Sequence, residues 1–235
     1  MAARGARRRG GGADVTLERR TEPQFEQAYF EHVYRDYTRQ NPHWKITFYR
    51  RLIERYLAGV ANPRILDVGC GPGSFLSSLD VSWRKFGLDV SSYAVGIART
   101  RNPNATVVVG SATQVPFKGP FDAIVSFDVL EHLADPAAAF DEILSRLAPG
   151  GVFMFVVPVY DGLSGPIIRL LDRDPTHLHK HPRAFWLELA KARFDVQEWL
   201  GLVRYLVPGG VYLSWPTRAF RRHAPAVAVV ARRAS

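Results

Sequence analysis

ILDVGCGPG, residues 65–73, is the stretch on which the reading of this chain turns. An apolar run carrying one aspartate, Asp67, gives way to three glycines at alternate positions, Gly69, Gly71 and Gly73, with Cys70 between the first two. The run reads as a buried strand, and the glycines as a turn that lets a ligand approach bare backbone. A doubly wound sheet places its ligand beyond the carboxyl ends of its strands, at such a turn. Dinucleotide sites use G-x-G-x-x-G, but here the third glycine comes one residue early and Ser74 takes the dinucleotide position. Asp89 ends the next apolar run, in the block FGLDVS, and suits either kind of nucleotide ligand. A carboxylate there accepts both hydroxyls of a ribose, through bonds worth about 1.5–3 kcal/mol each.

Outward from this turn the rhythm is regular. Short apolar runs recur at residues 64–68, 85–90, 105–109, 121–126 and 151–157, the first four each followed by a turn and a helical or short connecting segment. Apolar strands alternating with helices imply a mostly parallel sheet covered on both faces. The clearest helix spans 136–147: Asp135 is a good N-cap, Pro136 suits the first helical position, and Pro149-Gly150-Gly151 closes it. A helix at 182–192 and strands at 194–200 and 226–231 bring the expected count to seven strands. Before the sheet, Phe25, Tyr29, Phe30, Val33, Tyr34 and Tyr37 recur at helical spacing. A second helix is predicted after Asn41-Pro42 through Trp44, Phe48, Leu52, Ile53 and Tyr56. The expected organisation is a disordered basic tail at 1–20 and a single domain at 21–235. That domain comprises a helical cap at 21–60, a ligand-binding core at 64–157, and a substrate-side loop with C-terminal strands at 158–235.

Composition narrows the classes. A chain of 235 residues, 47% hydrophobic and 23% charged, reads as a globular protein able to bury a full core. One cysteine makes no internal disulfide. No apolar run is long enough to span a membrane, and MAARGARRRGGG lacks the apolar segment of a secretory signal, so a cytoplasmic protein is expected. The net charge of +9 is confined to the ends: residues 1–20 hold six arginines and two acids, residues 218–235 five arginines and none, and the stretch between is neutral. A nucleic-acid-binding body usually carries its own basic stripe, so nucleic acid is an unlikely partner here and a small-molecule substrate the expected one.

Five blocks occur in order: ILDVGCGPGSFL, GLDVS, GSATQVPF, FDAIVSFDVLEHLADP and LAPGG. Together they resemble the class I S-adenosylmethionine-dependent methyltransferases, in particular the subgroup of the ubiquinone and menaquinone pathways. The resemblance is strong over residues 60–157 and loose beyond. It implies a Rossmann-like α/β fold and S-adenosylmethionine as cofactor. It implies that Asp67 orders the turn and reaches toward the methionine amine, while Gly69, Cys70 and Gly71, with Gly73 completing the turn, offer backbone to the methionine portion. Asp89 would hold the ribose, Val90 would lie beside the adenine, and Phe127 would touch the cofactor through its backbone. Ser111 and Ala112 stand where the family usually has an acid and a small neighbour near the adenine amine; a serine accepts more weakly there than a carboxylate. Lys45 is a candidate for the cofactor carboxylate. Leu130-Glu131-His132 matches the family's LEH block, in which His132 is expected to orient the loop.

Methyl transfer to oxygen benefits from a base poised near neutral pH, and histidine is the usual one. DPTHLHKHP, residues 174–182, sets His177, His179 and His181 at alternate positions between the fifth strand and the next helix. His177 and His179 are the expected catalytic residues. The same histidines with Asp172 and Asp174 are also read as a possible metal set, or as a plain loop. Tyr29, Tyr34, Tyr37, Trp44 and Tyr49 either lid the pocket or pack the core. The expected activity is methylation of a small molecule at oxygen. The alternatives are methylation of nucleic acid or protein, a dinucleotide-dependent dehydrogenase, and a methyltransferase-like binding protein without activity.

Overall fold

Strand β1, Arg64–Val68, is apolar along both faces because both faces are covered. Ile65 packs against the aromatic helix α1 (His43–Tyr56), in a core with Tyr49, Leu52, Ile53, Val125 and Met154. Leu66 and Val68 face the opposite way, into a core with Phe140, Phe153, Phe155 and Trp186. This is the period-2 alternation of a central strand with both sides apolar. The computed structural model describes residues 41–162, 165–171, 176–207 and 211–234. The basic tail, the helix positions from Phe25 to Tyr37, and Asp172 and Asp174 lie outside the described residues.

After β1 follow α2 (Ser74–Ser78), β2 (Arg84–Asp89), α3 (Ser92–Arg101), β3 (Thr106–Val109) and β4 (Phe121–Phe127). A short 3₁₀ turn, Leu130–His132, leads to α4 (Pro136–Arg146) and β5 (Leu147–Pro158). The chain continues through α5 (Gly165–Leu171), α6 (Arg183–Lys191), β6 (Asp195–Val207), β7 (Val211–Thr217) and β8 (Ala226–Arg232). One sheet holds the eight strands in the order β3-β2-β1-β4-β5-β8-β6-β7. Strands β1 to β5 pair in parallel, and β8, β6 and β7 add antiparallel. The order reverses on either side of β1 and β4, which opens a crevice beyond their carboxyl ends. This is a Rossmann-like α/β architecture, as the sequence predicts.

Two local readings change. The expected count of seven strands becomes eight because residues 211–217 form β7, at the sheet edge. Pro216 in that run argues against an interior strand but is tolerated at an edge, where its missing N–H costs nothing. The helix at 136 starts as its cap predicts, with the Asp135 carboxylate accepting from Ala138 N at 3.0 Å. It ends at Arg146 and passes directly into β5, so Pro149-Gly150-Gly151 does not close it. Those residues lie in an irregularity where Phe121 pairs Leu147 and Ala123 pairs Val152. Gly150 takes φ +71° there, and a side chain on Gly151 would meet the Ala148 carbonyl at 2.8 Å.

Candidate active site

The glycine turn is tied to β2 first through backbone hydrogen bonds. Gly69 N and Cys70 N both donate to Leu88 O, at 2.8 and 3.0 Å, and Gly73 N donates to Cys70 O at 2.9 Å. Gly69, Gly71 and Gly73 adopt φ of +75°, +50° and +76°, the left-handed region that side chains disfavour. At Gly69 the fit is closer still, since a Cβ would lie 2.2 Å from a Val129 methyl. Gly73 has a different task from its neighbours. It is not among the cavity-lining residues, and its carbonyl accepts from Asn102 Nδ2 at 3.1 Å, joining the turn to α3.

The cavity has a volume of about 520 Å³ and lies beyond the carboxyl ends of β1 to β4. Asp67, Gly69, Cys70 and Gly71 form one end; Asp89 and Val90 follow, then Ser111 to Thr113. On the other side stand Tyr49 of α1, and Phe127 and Asp128 at the end of β4. His132, Leu133, Asp135, Ala138 and Leu178 close the rest. Asp89 is oriented by two donors, Gly71 N at 2.8 Å and Ser91 N at 2.9 Å, one to each oxygen. Asp67 is 2% exposed, and burial, followed by the neighbouring Asp89 charge, pushes its carboxyl up to about 8. The Ser111 hydroxyl shares a bond with Thr113 Oγ1 at 3.0 Å and accepts from Thr113 N at 3.3 Å. Phe127 stacks on Tyr49 with centroids 4.5 Å apart and meets the edge of Phe75 at 5.0 Å.

Cys70 is inert by environment. Its side chain is buried and its Sγ lies 3.6 Å from Gly71 O. Burial first, then the Asp67 and Asp89 charges, raise its pKa well above the usual thiol value, so it is no thiolate nucleophile. A Cys70→Ala variant is expected to bind S-adenosylhomocysteine within about tenfold of the wild type, or roughly 1.4 kcal/mol, measured by calorimetry.

Lys45, expected near a cofactor carboxylate, instead joins an ion cluster. It contacts Asp128 at 3.4 Å and Asn41 at 3.1 Å, while Arg204 of β6 binds Asp128 at 2.6 Å. Burial opposes ionisation of Asp128, but Arg204 and Lys45 outweigh it and hold the carboxyl down to about 2. Asp128 takes φ +57°, a left-handed conformation that these two partners anchor. Arg204 was not singled out in the sequence, because nothing local marks a β6 arginine as the partner of an aspartate after β4.

The histidines of the two loops lie close together. His132 lines the cavity, whereas His177 and His179 do not. His132 Nδ1 lies 3.0 Å from both the carbonyl and the hydroxyl of Thr176. A carbonyl only accepts, so Nδ1 carries the proton and Nε2 is the basic nitrogen of the neutral ring. His177 packs behind it, ring centroids 4.7 Å apart, with Nδ1 3.2 Å from the Tyr160 hydroxyl. His179 Nδ1 meets His181 Nε2 at 3.0 Å, and His181 stacks on Phe185 at 3.8 Å. Glu131, His132 and His177 each bring one donor atom within 4.8 Å of the others, a set able to hold a metal ion. It differs from the alternating-histidine set, two of whose members, Asp172 and Asp174, lie outside the described residues. No helix of the described residues is long and apolar enough to cross a membrane.

Comparison with known proteins agrees with this geometry. A methyltransferase-domain family profile matches residues 37–223. A Mycolicibacterium smegmatis protein named "Probable S-adenosylmethionine-dependent methyltransferase" is 32% identical over 161 residues, 66% of this chain and 59% of that protein. The ubiquinone biosynthesis O-methyltransferase of Aromatoleum aromaticum is 32% identical over 105 residues, 42% of this chain and 45% of its own. The chain thus spans about half the length of these relatives. Among solved structures, the N-methyltransferase NodS of Bradyrhizobium japonicum, in complex with S-adenosyl-L-homocysteine, superposes with a TM-score of 0.59 at 19% identity. That match covers 83% of this chain and 90% of NodS.

Proposed function

Because the chain belongs to the S-adenosylmethionine-dependent methyltransferase family, we propose that it transfers a methyl group from S-adenosylmethionine to the oxygen of a small-molecule acceptor. The cavity suits that cofactor on its own terms. Gly69 and Gly71 present backbone in left-handed conformations that side chains disfavour, Asp89 is aligned by two N–H donors, and Asp67 lines the same cavity. Gly69, Cys70 and Gly71 would hold the methionine portion, Asp89 the ribose, Val90 the purine face, Ser111 and Ala112 its amine edge, and Phe127 the middle through its backbone. When bound, the cofactor supplies a methyl group on a sulfonium that leaves as a neutral thioether.

The protein's own part is orientation, exclusion of water and handling of one proton. Orientation alone accounts for about 7–11 kcal/mol of barrier in favourable cases. The observation that carries the oxygen assignment is His132, which lines the cavity with Nδ1–H turned to Thr176 O, so that Nε2 is the ring nitrogen able to accept a proton. A hydroxyl is a weak nucleophile until a base takes its proton. His177 and His179, the candidates in the sequence, become supports: His177 packs on the His132 ring and His179 N donates to Glu131 O at 3.1 Å. The activity named for the Aromatoleum relative agrees with an oxygen acceptor. Among the described residues the cavity lining contains four aspartates and no lysine or arginine, which disfavours a phosphate-bearing polymer as acceptor.

The test is methyl transfer from isotope-labelled S-adenosylmethionine to panels of hydroxylated and amino metabolites, with RNA and protein extract in parallel. Label on the oxygen of a small molecule supports the assignment. Label on nitrogen, RNA or protein overturns it.

A further inference from the structure

Glu198 is the last acidic residue of the sequence, and six arginines follow it. Glu198 is itself shared by Arg218, at 2.8 Å, and by Arg55, so two guanidiniums meet one carboxylate. Three of the six, Arg218, Arg221 and Arg222, stand in TRAFRRHAP, residues 217–225, on the turn between β7 and β8. Large apolar side chains are exposed among them. Phe220 on the turn is 70% exposed, and Leu213 and Trp215 of β7 are 41% and 47% exposed.

These side chains share one face at the edge of the sheet. Leu213, Trp215 and Thr217 alternate along β7 and so point the same way, with Val203 and Gly201 of β6 opposite Trp215 and Thr217. The turn folds onto that face. The Thr217 hydroxyl accepts from Phe220 N at 3.1 Å, and a Cβ on Gly201 would meet the Arg221 backbone at 2.5 Å. The Arg221 guanidinium lies 4.1 Å from the centre of the Trp199 ring, two residues before Gly201 on the same face of β6. Surface hydrophobics scattered singly are ordinary, but three large ones on one face among cations mark an interaction surface.

We propose that this face, made by Leu213, Trp215 and the turn that carries Phe220, docks on the surface of a bilayer rich in anionic lipid. The two aromatic rings and Leu213 enter the boundary between headgroups and acyl chains, and the arginines hold lipid phosphates. Arg222 is exposed, and the Arg218 side chain is 71% exposed, so its ion pair is a weak surface tie that leaves the guanidinium within reach of a phosphate. The mixture of side chains favours lipid over single-stranded nucleic acid, which stacks its bases on rings and has no such use for Leu213 and Val203. A second protein chain adding a strand to the sheet is disfavoured by Pro216, which blunts the edge of β7. Docking of this kind is peripheral and needs no membrane-spanning helix.

The test is co-sedimentation of the full chain with vesicles of phosphatidylcholine alone and of equal parts phosphatidylcholine and phosphatidylglycerol, at about 0.15 M salt. The protein is expected to sediment with the anionic vesicles only, and lipids brominated in the acyl chains are expected to quench its tryptophan fluorescence. Trp215→Ser combined with Phe220→Ser is expected to weaken the partition at least about tenfold while melting as the wild type does. That variant keeps every arginine, including those of residues 1–20, so charge alone does not account for the loss. Trp215→Phe, which keeps a ring, is expected to stay bound and to lose most of the quenching. A wild type that stays in the supernatant overturns the proposal, whatever the variants do. Sedimentation undiminished by the double substitution, or full quenching in Trp215→Phe, places the contact elsewhere and equally overturns it. So does a self-association, or the binding of a labelled single-stranded RNA, that the double variant loses while its vesicle binding is unchanged. None of these readouts involves the cofactor, so the outcome leaves the assignment of the cavity untouched.

Discussion

A Gly71→Val chain is expected to bind S-adenosylhomocysteine at least a hundredfold more weakly than the wild type, about 2.8 kcal/mol, while its far-ultraviolet circular dichroism stays the same. Three effects act together. The residue takes φ +50°, where an L side chain costs about 1–2 kcal/mol and a β-branched one more. Its side chain would project at a position that lines the cavity. Its N–H also orients the Asp89 carboxylate, at 2.8 Å, so a displaced turn releases the proposed ribose ligand. The sheet should survive, because the turn's backbone-to-backbone anchors to β2 run through Gly69 N and Cys70 N, and Gly71 adds only its bond to the Asp89 side chain. An unchanged dissociation constant would place the cofactor elsewhere.

The second large effect concerns His132. His132→Ala is expected to lower kcat with an oxygen acceptor by about 10²–10⁴-fold, the usual range for a positioned general base. The dissociation constant of S-adenosylhomocysteine should remain within a few-fold, because the assigned cofactor ligands lie along β1 to β3 and the end of β4. His177→Ala is expected to lose less, since its ring supports His132 from behind and does not line the cavity. The pH profile separates base from prop. Loss of a base removes the acidic limb of kcat, whereas loss of a prop lowers the whole curve. If His177→Ala abolishes turnover and His132→Ala preserves it, the roles given to the two rings are reversed.

The parts of the fold governed by local chemistry were legible in the chain. Alternating apolar runs gave the parallel half of the sheet, and Asp135-Pro136 gave the start of α4 to the residue, because a cap needs only neighbours in sequence. The C-terminal half was legible only in outline. Strand β7 is hidden by Pro216, and β8 inserts between β5 and β6, a pairing set by tertiary packing. The same division holds in the site. Three alternating glycines and Asp89 marked, through spacing alone, a turn that lines the cavity. The different use of Gly73, as a packing point against Ala98 and Asn102 of the next helix and its cap, needed the structure. So did the histidines: whether His132 or His177 reaches the cavity depends on how the segment after β5 folds against the turn after β4, a contact 44 residues apart in sequence between His132 and Thr176. An aspartate clamped by Lys45 and Arg204 from opposite ends of the chain is equally beyond any local pattern.

The central claim is that the cavity behind the glycine turn takes S-adenosylmethionine. Calorimetric titration of the purified full chain with S-adenosylmethionine, S-adenosylhomocysteine and NAD tests it most directly. The account predicts one-to-one binding of the first two, sensitive to Gly71→Val, and no heat from NAD. Saturable binding of NAD with none of either sulfur nucleoside would contradict it.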